Sequence, residues 1–335
     1  MNKVDAEEWT PGRILDVSGS YWKTCALHCG VKLGVFSVLG QERMTGPEVA
    51  HRLETDERAT AMLLDALAAM KLLVKSGDSY ANTPSAWSLL SKDSPDYLGY
   101  ILLHHHHLMD SWFQLDAAVK TGRSVRRRSS TSEEQWREDF LMGMFNMAMS
   151  IAPRIADEVD LSTRRHLLDL GGGPGTYAIH FCRKYPALRA TVYDLPTTRP
   201  FAEKTIARFG VADRVDFQEG DYLEGEIAGR YDVAWLSQIL HGEGPGGCRS
   251  IIRKAVSALD PGGWILVHEF ILDNTKDGPL FPALFSLNML LQTADGQAYS
   301  EEEIRVMLSE AGVTQIRRLP FQGPNQSGIL AGVVP

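Results

Sequence analysis

At 335 residues the chain exceeds the roughly 250–300 residues over which single cores usually grow, so two domains are expected. Its composition, 44% hydrophobic and 23% charged, is that of an ordinary globular protein, and a net charge of −8 argues against a general electrostatic field for nucleic acid. No apolar run approaches the ~20 residues of a membrane-spanning helix. The start, Met1-Asn-Lys-Val-Asp-Ala-Glu-Glu, lacks the apolar centre of a signal peptide, and the four scattered cysteines suit a reduced, cytoplasmic protein.

Residues 1–95 read mainly as helices. An amphipathic helix is predicted over Ser20–Leu39, with Cys25 and Cys29 as small buried residues in it. A short helix follows over Gly46–Leu53, where Thr45-Gly-Pro-Glu48 has the proline and acid of a helix start. Asp56 caps the next, Asp56–Met70, in which Ala59, Met62, Leu63, Leu67 and Met70 recur at helical spacing. Strands from Leu72 and over Ser79–Thr83 flank Gly77-Asp78 as a hairpin. Helix, helix and wing in this order predict a winged-helix-like domain. Its recognition-like helix carries Asp56, Glu57, Arg58, Asp65 and Lys71, which is no phosphate-tracking surface, so a packing and dimerisation role is expected over DNA binding.

Residues 96–160 read as a helical linker, with helices over Tyr97–Lys120 and Glu133–Glu158. A polar loop, Gly122–Ser132, joins them, and the basic run Arg123–Arg128 within it reads as solvated. His104 to His107 project about 100° apart around a helix and cannot all bind one ion. No Cys or His spacing completes a zinc set, so no metal is expected, and packing or pocket lining both stay open for these histidines.

From residue 161 to 335 strands alternate with helices, the pattern of a doubly wound α/β sheet. Strands are predicted at His166–Leu170, Ala190–Tyr193, Val215–Glu219, Asp232–Leu236, Trp264–Glu269, Gln315–Leu319 and Ile329–Val333. Helices are predicted at Thr176–Lys184, Arg199–Phe209, Gly246–Leu259 and Ser300–Glu310, with Pro261-Gly262-Gly263 as a tight turn. Ligands of such sheets sit beyond the carboxyl ends of the strands. That places Gly171–Gly175, Asp194, Asp221, Leu236–His241 and Glu269 on one rim.

The richest stretch is His166-Leu-Leu-Asp-Leu-Gly-Gly-Gly-Pro-Gly-Thr176: a buried strand running into a glycine turn and a helix N-terminus, where backbone N–H groups approach a ligand closely. Asp194, ending the next strand, has the place of a carboxylate that takes two ribose hydroxyls, so an adenosine-containing cofactor is expected. The spacing Asp169-x-Gly171-x-Gly173-x-Gly175 departs from the dinucleotide fingerprint, and a pyrophosphate would be repelled by Asp169. A nicotinamide or flavin site stays open on spacing alone. The motif resembles the first motif of class I S-adenosylmethionine-dependent methyltransferases.

Over nearly its full length the chain resembles the small-molecule O-methyltransferase family that includes the plant caffeic acid and hydroxyindole enzymes. The likeness is carried by Tyr80-Ala-Asn-Thr-Pro84, His107–Gly122 with Trp112, Met144-Phe-Asn-Met-Ala-Met149 and the glycine motif. It continues through Gly220-Asp221-Tyr222, Ile239-Leu240-His241, Pro261-Gly-Gly263 and Ser300-Glu-Glu-Glu-Ile304.

The resemblance implies a Rossmann-like domain with a mixed seven-stranded sheet, a homodimer formed by the N-terminal domain, and S-adenosyl-L-methionine as cofactor. It implies that Gly171 and Gly173 line the cofactor's methionine part and that Asp169 orients water or its ammonium. Asp194 would bind the ribose and Asp221 the adenine amino group, with Tyr222 packed on the ring. The alternative for these last two is a capped turn and a filled groove. Ser237 and Gln238 fall beside the cofactor where many relatives have lysine or arginine.

His241 corresponds to the general base and Glu269 to the acid that orients it, although His241-Gly242-Glu243 stands where the family usually shows His-Asp-Trp. Trp112, Trp136, Phe145 and Met149 would wall the acceptor pocket, and Met289 and Leu290 close it. With the base motif altered, S- or N-methylation by proximity, for instance of a small thioether acid such as 4-methylthio-2-hydroxybutyrate, is a second reading. A non-catalytic binding protein is a third.

Overall fold

The computed structural model describes residues 8–126 and 134–335. The chain clusters into two units, Met1–His107 and Leu108–Pro335. Among the described residues, no helix is long and apolar enough to cross a membrane. Residues 1–7 lie outside the described part, as do residues 127–132 of the polar loop, with Arg127 and Arg128 of the basic run.

The first unit contains helices α1 (Pro11–Gly19), α2 (Tyr21–Leu33), α3 (Val35–Leu39), α4 (Gly46–Leu53), α5 (Glu57–Ala69) and α6 (Pro84–Leu90). Strands β1 (Met44–Thr45), β2 (Leu73–Ser76) and β3 (Ser79–Asn82) form a small antiparallel sheet in the order β1-β3-β2, which is the wing.

The helix predicted over Ser20–Leu39 is broken. Gly34 adopts φ +81° and closes α2, its N–H donating to the carbonyls of Gly30 and Val31, and the chain restarts as α3. Apolar periodicity runs across the break because both helices turn Val31, Val35, Phe36 and Leu39 into one core with Leu64, Leu67 and Tyr80. Cys25 and Cys29, expected to be buried, are exposed, on the same face of α2 as the exposed Trp22.

Thr45 and Glu48 form a reciprocal capping box at the start of α4, and Asp56 Oδ1 accepts the Ala59 N–H at 2.8 Å. Such a cap contributes about 1 kcal/mol. Asp65 on α5 accepts hydrogen bonds from Lys75 Nζ and Tyr80 Oη, which ties that helix to the wing.

Helix α7 (Gly99–Trp112) follows. The predicted continuous helix over Tyr97–Lys120 is interrupted at Phe113-Gln114, after which α8 (Leu115–Thr121) begins. The second unit then holds α9 (Glu134–Glu158) and a sheet of β4 (His166–Leu170), β5 (Arg189–Asp194), β6 (Val215–Glu219), β7 (Tyr231–Ser237), β8 (Leu259–Leu272), β10 (Thr314–Gln322) and β11 (Ser327–Val333). Their order is β10-β11-β8-β7-β4-β5-β6, and short β9 (Tyr299–Ser300) pairs with β8. The five strands from β8 to β6 are parallel, and β11 and β10 are antiparallel. Between them run α10 (Thr176–Lys184), α11 (Arg199–Arg208), α12 (Pro245–Ser257), α13 (Leu280–Gln292) and α14 (Glu301–Glu310).

Strand β4 is central and fully buried at Leu167, Leu168 and Leu170, each such side chain contributing ~1.5–3 kcal/mol by leaving water. The order reverses at β4, between β5 and β7, and a doubly wound sheet opens its binding crevice there.

Two further features differ from expectation. The turn at Pro261-Gly262-Gly263 is absorbed into the long β8 as a register irregularity opposite Tyr231–Val233. And α13 forms where no helix was assigned.

Candidate functional site

The crevice is built on a glycine turn that has no room for a side chain on one of its two sides. After Leu170 the chain enters Gly171 at φ +65°, and its N–H donates to the Tyr193 carbonyl at 2.8 Å. A Cβ on Gly171 would stand 2.7 Å from Ile239 Cγ2 and 3.2 Å from Tyr222 Cε1. Gly173, at φ +55°, faces open space instead. The turn therefore packs on one side and offers bare backbone on the other, immediately before the N-terminus of α10.

Three carboxylates surround it. Asp194 holds the turn: Oδ2 accepts the Gly173 N–H at 2.8 Å, and Oδ1 accepts from Leu195 N and Thr198 Oγ1. Burial raises its pKa against the lowering effect of these bonds. Asp169 is buried, and its Oδ2 accepts the Ala178 N–H at 3.2 Å while Oδ1 has no partner. Asp221 Oδ1 accepts the Leu223 N–H at 2.9 Å, an Asx turn, and Tyr222 packs on the sheet core beside Gly171.

At the end of β7, Ser237 Oγ lies 2.9 Å from His268 Nδ1, and Gln238 takes φ +60° with its buried Oε1 unpartnered. Two unpartnered buried acceptors, Asp169 Oδ1 and Gln238 Oε1, on the ends of adjacent strands suit a ligand with a cationic N–H group. The residues present thus fit a cofactor carrying an ammonium.

Burial, with the nearby Asp194 carboxylate adding to it and the Ala178 N–H bond opposing it, pushes the Asp169 carboxyl up to about 7. In an unfolded chain an aspartate titrates near ~3.9. Between those values the folded state holds a proton that the unfolded state has lost, so this group's contribution to stability falls as pH rises from 4 to 7. Buried His268, lowered to about 4, acts in the opposite sense up to its unfolded pKa of ~6.5. The Asp169 effect is therefore read as a difference. Asp169→Asn should gain stability relative to the parent as pH rises from 4 to 7 in denaturant titrations, and a flat difference would exclude a buried neutral carboxyl.

On the other side of β7, Glu269 of β8 grips the turn after Gln238. Its Oε1 accepts the Leu240 N–H at 2.8 Å and the His241 N–H at 3.4 Å, while Oε2 lies 2.8 Å from His241 Nδ1. Beside a carboxylate Nδ1 carries the proton, which leaves Nε2 as the basic nitrogen. Phe285 meets the imidazole edge-on at 4.8 Å and Phe270 lies parallel to it at 6.3 Å. Phe281 completes the group, 4.9 Å from Phe270.

These three phenylalanines escaped sequence reasoning, although Phe281 and Phe285 show the i, i+4 spacing of one helix face. Trp112 Nε1 donates to Asn288 Oδ1 on α13 at 3.2 Å, next to buried Met289, and Leu290 is half-buried. The contacts of Phe145 and Met149 are with the outer helices: Phe145 packs on Phe209, and the Met149 sulfur lies 3.3 Å from His180 Nε2. Trp136 stacks under Arg126. In the first unit His104 is buried, and His106 Nε2 lies 3.1 Å from Lys32 Nζ. Among the described residues, no group of three or more His, Cys, Asp or Glu is placed to hold a metal.

The O-methyltransferase domain model matches residues 112–314, and the O-methyltransferase dimerisation domain model matches residues 15–92. The chain is 33% identical to 3-hydroxy-5-methyl-1-naphthoate 3-O-methyltransferase of Streptomyces sahachiroi, over 96% of this chain and 95% of that one. Its fold matches PigF with SAH at TM-score 0.90 and 27% identity, covering 97% and 100% of the two chains. It matches human N-acetylserotonin methyltransferase in complex with SAM at TM-score 0.86 and 26% identity, covering 98% and 99%. The group is wider than the plant enzymes of the resemblance and takes in bacterial and animal members. The chain belongs to the O-methyltransferase family, as a class I S-adenosylmethionine-dependent methyltransferase that acts on a small molecule and carries an N-terminal dimerisation domain.

Proposed function

We propose that this enzyme methylates a hydroxyl group on a small aromatic acceptor, with His241 as general base. The observation that carries the reading is the 2.8 Å pair between His241 Nδ1 and Glu269 Oε2, set against the phenylalanines of β8 and α13. S-adenosylmethionine supplies an electrophilic methyl group on a sulfonium sulfur. Nε2 of His241 takes the proton of the acceptor's hydroxyl, whose oxygen would receive that methyl group. Glu269 fixes the ring through Nδ1 and its backbone through the Leu240 and His241 N–H groups, and it stabilises the imidazolium that results.

Phe270, Phe281 and Phe285 supply faces and edges for a planar ring, with Met289 and Trp112 on or against α13 closing the pocket. Naphthoate and N-acetylserotonin, named for two relatives, are aromatic molecules of this kind. On the cofactor side, Gly171 and Gly173 admit the methionine part, Asp169 and Gln238 receive its ammonium, and Asp194 binds the ribose. Asp221 and Tyr222 take the adenine, and Ser237, held by His268, stands beside the cofactor. The enzyme works as a homodimer through residues 15–92, supported by the exposed Leu15 and Trp22 of the N-terminal helices. A cytoplasmic setting belongs to the same reading, in keeping with the four free thiols.

The test is transfer from methyl-labelled S-adenosylmethionine to a mixed panel of hydroxynaphthoates, N-acetylserotonin, aromatic amines and 4-methylthio-2-hydroxybutyrate, with products identified by mass spectrometry. Label on an aromatic oxygen is expected. Label confined to sulfur or nitrogen would remove the base from the mechanism. Light scattering on the same sample should give twice the chain mass, and a monomer would refute the dimer.

A further inference from the structure

Within the turn that carries His241, the Gly242 N–H donates to the Ile239 carbonyl at 3.3 Å and the Glu243 N–H to the Leu240 carbonyl at 3.0 Å. Gly242-Glu243-Gly244 follows the histidine, and Gly244 is the N-cap of α12, with no side chain of its own to satisfy the first N–H groups of that helix. The bond comes from elsewhere in the chain. Asp295, just beyond the end of α13, accepts the Gly244 N–H through Oδ1 at 3.1 Å. The fit is close enough that a Cβ on Gly244 would lie 2.1 Å from Asp295 Oδ2. A carboxylate at this point also faces the positive end of the α12 dipole.

The next residue adds a second contact: a Cβ on Gly296 would lie 2.5 Å from the His241 carbonyl oxygen and 2.9 Å from the Gly242 carbonyl carbon. Gly296 N–H donates to Thr293 Oγ1 at 2.9 Å, and Thr293 Oγ1 donates to the Met289 carbonyl at 2.8 Å. From behind, Tyr299 Oη donates to the Glu243 carbonyl at 2.5 Å and Cys248 Sγ to the Leu240 carbonyl at 3.1 Å. An unbroken line of contacts thus runs from α13, which bears Phe281, Phe285 and Met289, to the backbone of His241.

We propose that Asp295 is a positioning residue for methyl transfer: by capping α12 from the end of α13 it locks the His241 turn and the aromatic wall into one unit. This rests on the reading of His241 as the base. Glu269 sets the ring's rotation, while Asp295 sets where the turn stands relative to the acceptor.

The reporter is the His241 Nδ1–H resonance in the full chain loaded with S-adenosylhomocysteine, assigned by its loss in His241→Gln. Asp295→Ala should broaden or abolish it and speed amide exchange over residues 240–248 at least tenfold. Affinity for S-adenosylhomocysteine should stay within twofold, because Asp295 lies outside the cofactor crevice. Asp295→Asn keeps an Oδ1 acceptor without the charge and should recover both signals. Gly296→Ala, which forces a methyl against the His241 carbonyl, should disturb the same resonance independently. An unchanged resonance and exchange rate in Asp295→Ala would overturn the proposal, and so would an Asp295→Asn protein that behaves like the alanine variant. If Asp295→Ala responds as expected but His241→Ala still methylates a hydroxynaphthoate normally, the lock stands and the base assignment fails.

Discussion

Replacing His241 with alanine should lower kcat/KM for an aromatic hydroxyl acceptor by ~10²–10⁴, the range general-base catalysis supplies, equivalent to about 3–5 kcal/mol of transition-state stabilisation. The loss should fall on kcat, because the imidazole acts on the proton in flight and not on the cofactor. Calorimetry with S-adenosylhomocysteine should therefore give an affinity close to the parent's. Glu269→Gln is the sharper probe. Glu269 accepts at both oxygens, from Leu240 N, His241 N and His241 Nδ1, and an amide replaces one acceptor with a donor. Either the backbone bond or the Nδ1–H tautomer is lost, so kcat should fall at least ~10-fold by the same Brønsted logic. A His241→Ala enzyme within a few-fold of the parent would show that transfer proceeds by positioning alone.

The second large effect separates two glycines that look alike in the sequence. Gly171→Ala meets Ile239 and Tyr222 and forces a left-handed conformation that costs ~1–2 kcal/mol for a residue with a Cβ. It should lower Tm and weaken S-adenosylhomocysteine binding together. Gly173→Ala has no protein atom within 4 Å of its added methyl. It carries only the backbone strain, yet places the methyl where bare backbone would meet the cofactor. It should weaken binding at least tenfold for a smaller loss of Tm. Parent-like affinity in both variants would mean the turn is not the cofactor cradle.

The glycine turn, Asp194, His241 and Glu269 were legible because each sits at the end of a strand whose apolar run is short and bounded. Their meeting on one rim follows from alternating strands and helices. Helix α13 holds Pro279 and Pro282 at its start, and proline ordinarily interrupts a helix. Pro279 is the N-cap and Pro282 lies in the first turn, where a missing N–H leaves no helical bond unmade. With the helix, unassigned in the sequence, went its phenylalanines. The break at Gly34 was masked because apolar spacing persists across it. Contacts such as Asp295 with Gly244 leave no trace in either the helical or the strand period, because they join residues whose order in the chain says nothing of their distance.

Strand β8 hands its side chains alternately to two sides, so that His268 meets Ser237 while its neighbour Glu269 meets His241. A slip of one residue would exchange a neutral imidazole for a carboxylate at the base and bury the wrong group beneath the cofactor turn. Insertions or deletions between Trp264 and Glu269 are thus forbidden by chemistry as well as by packing. The irregular segment at 260–263, already out of register with β7, is where a change of length would leave the proposed His241–Glu269 pair in place. Natural length variation among relatives should collect at that upstream kink and leave the six residues after it untouched.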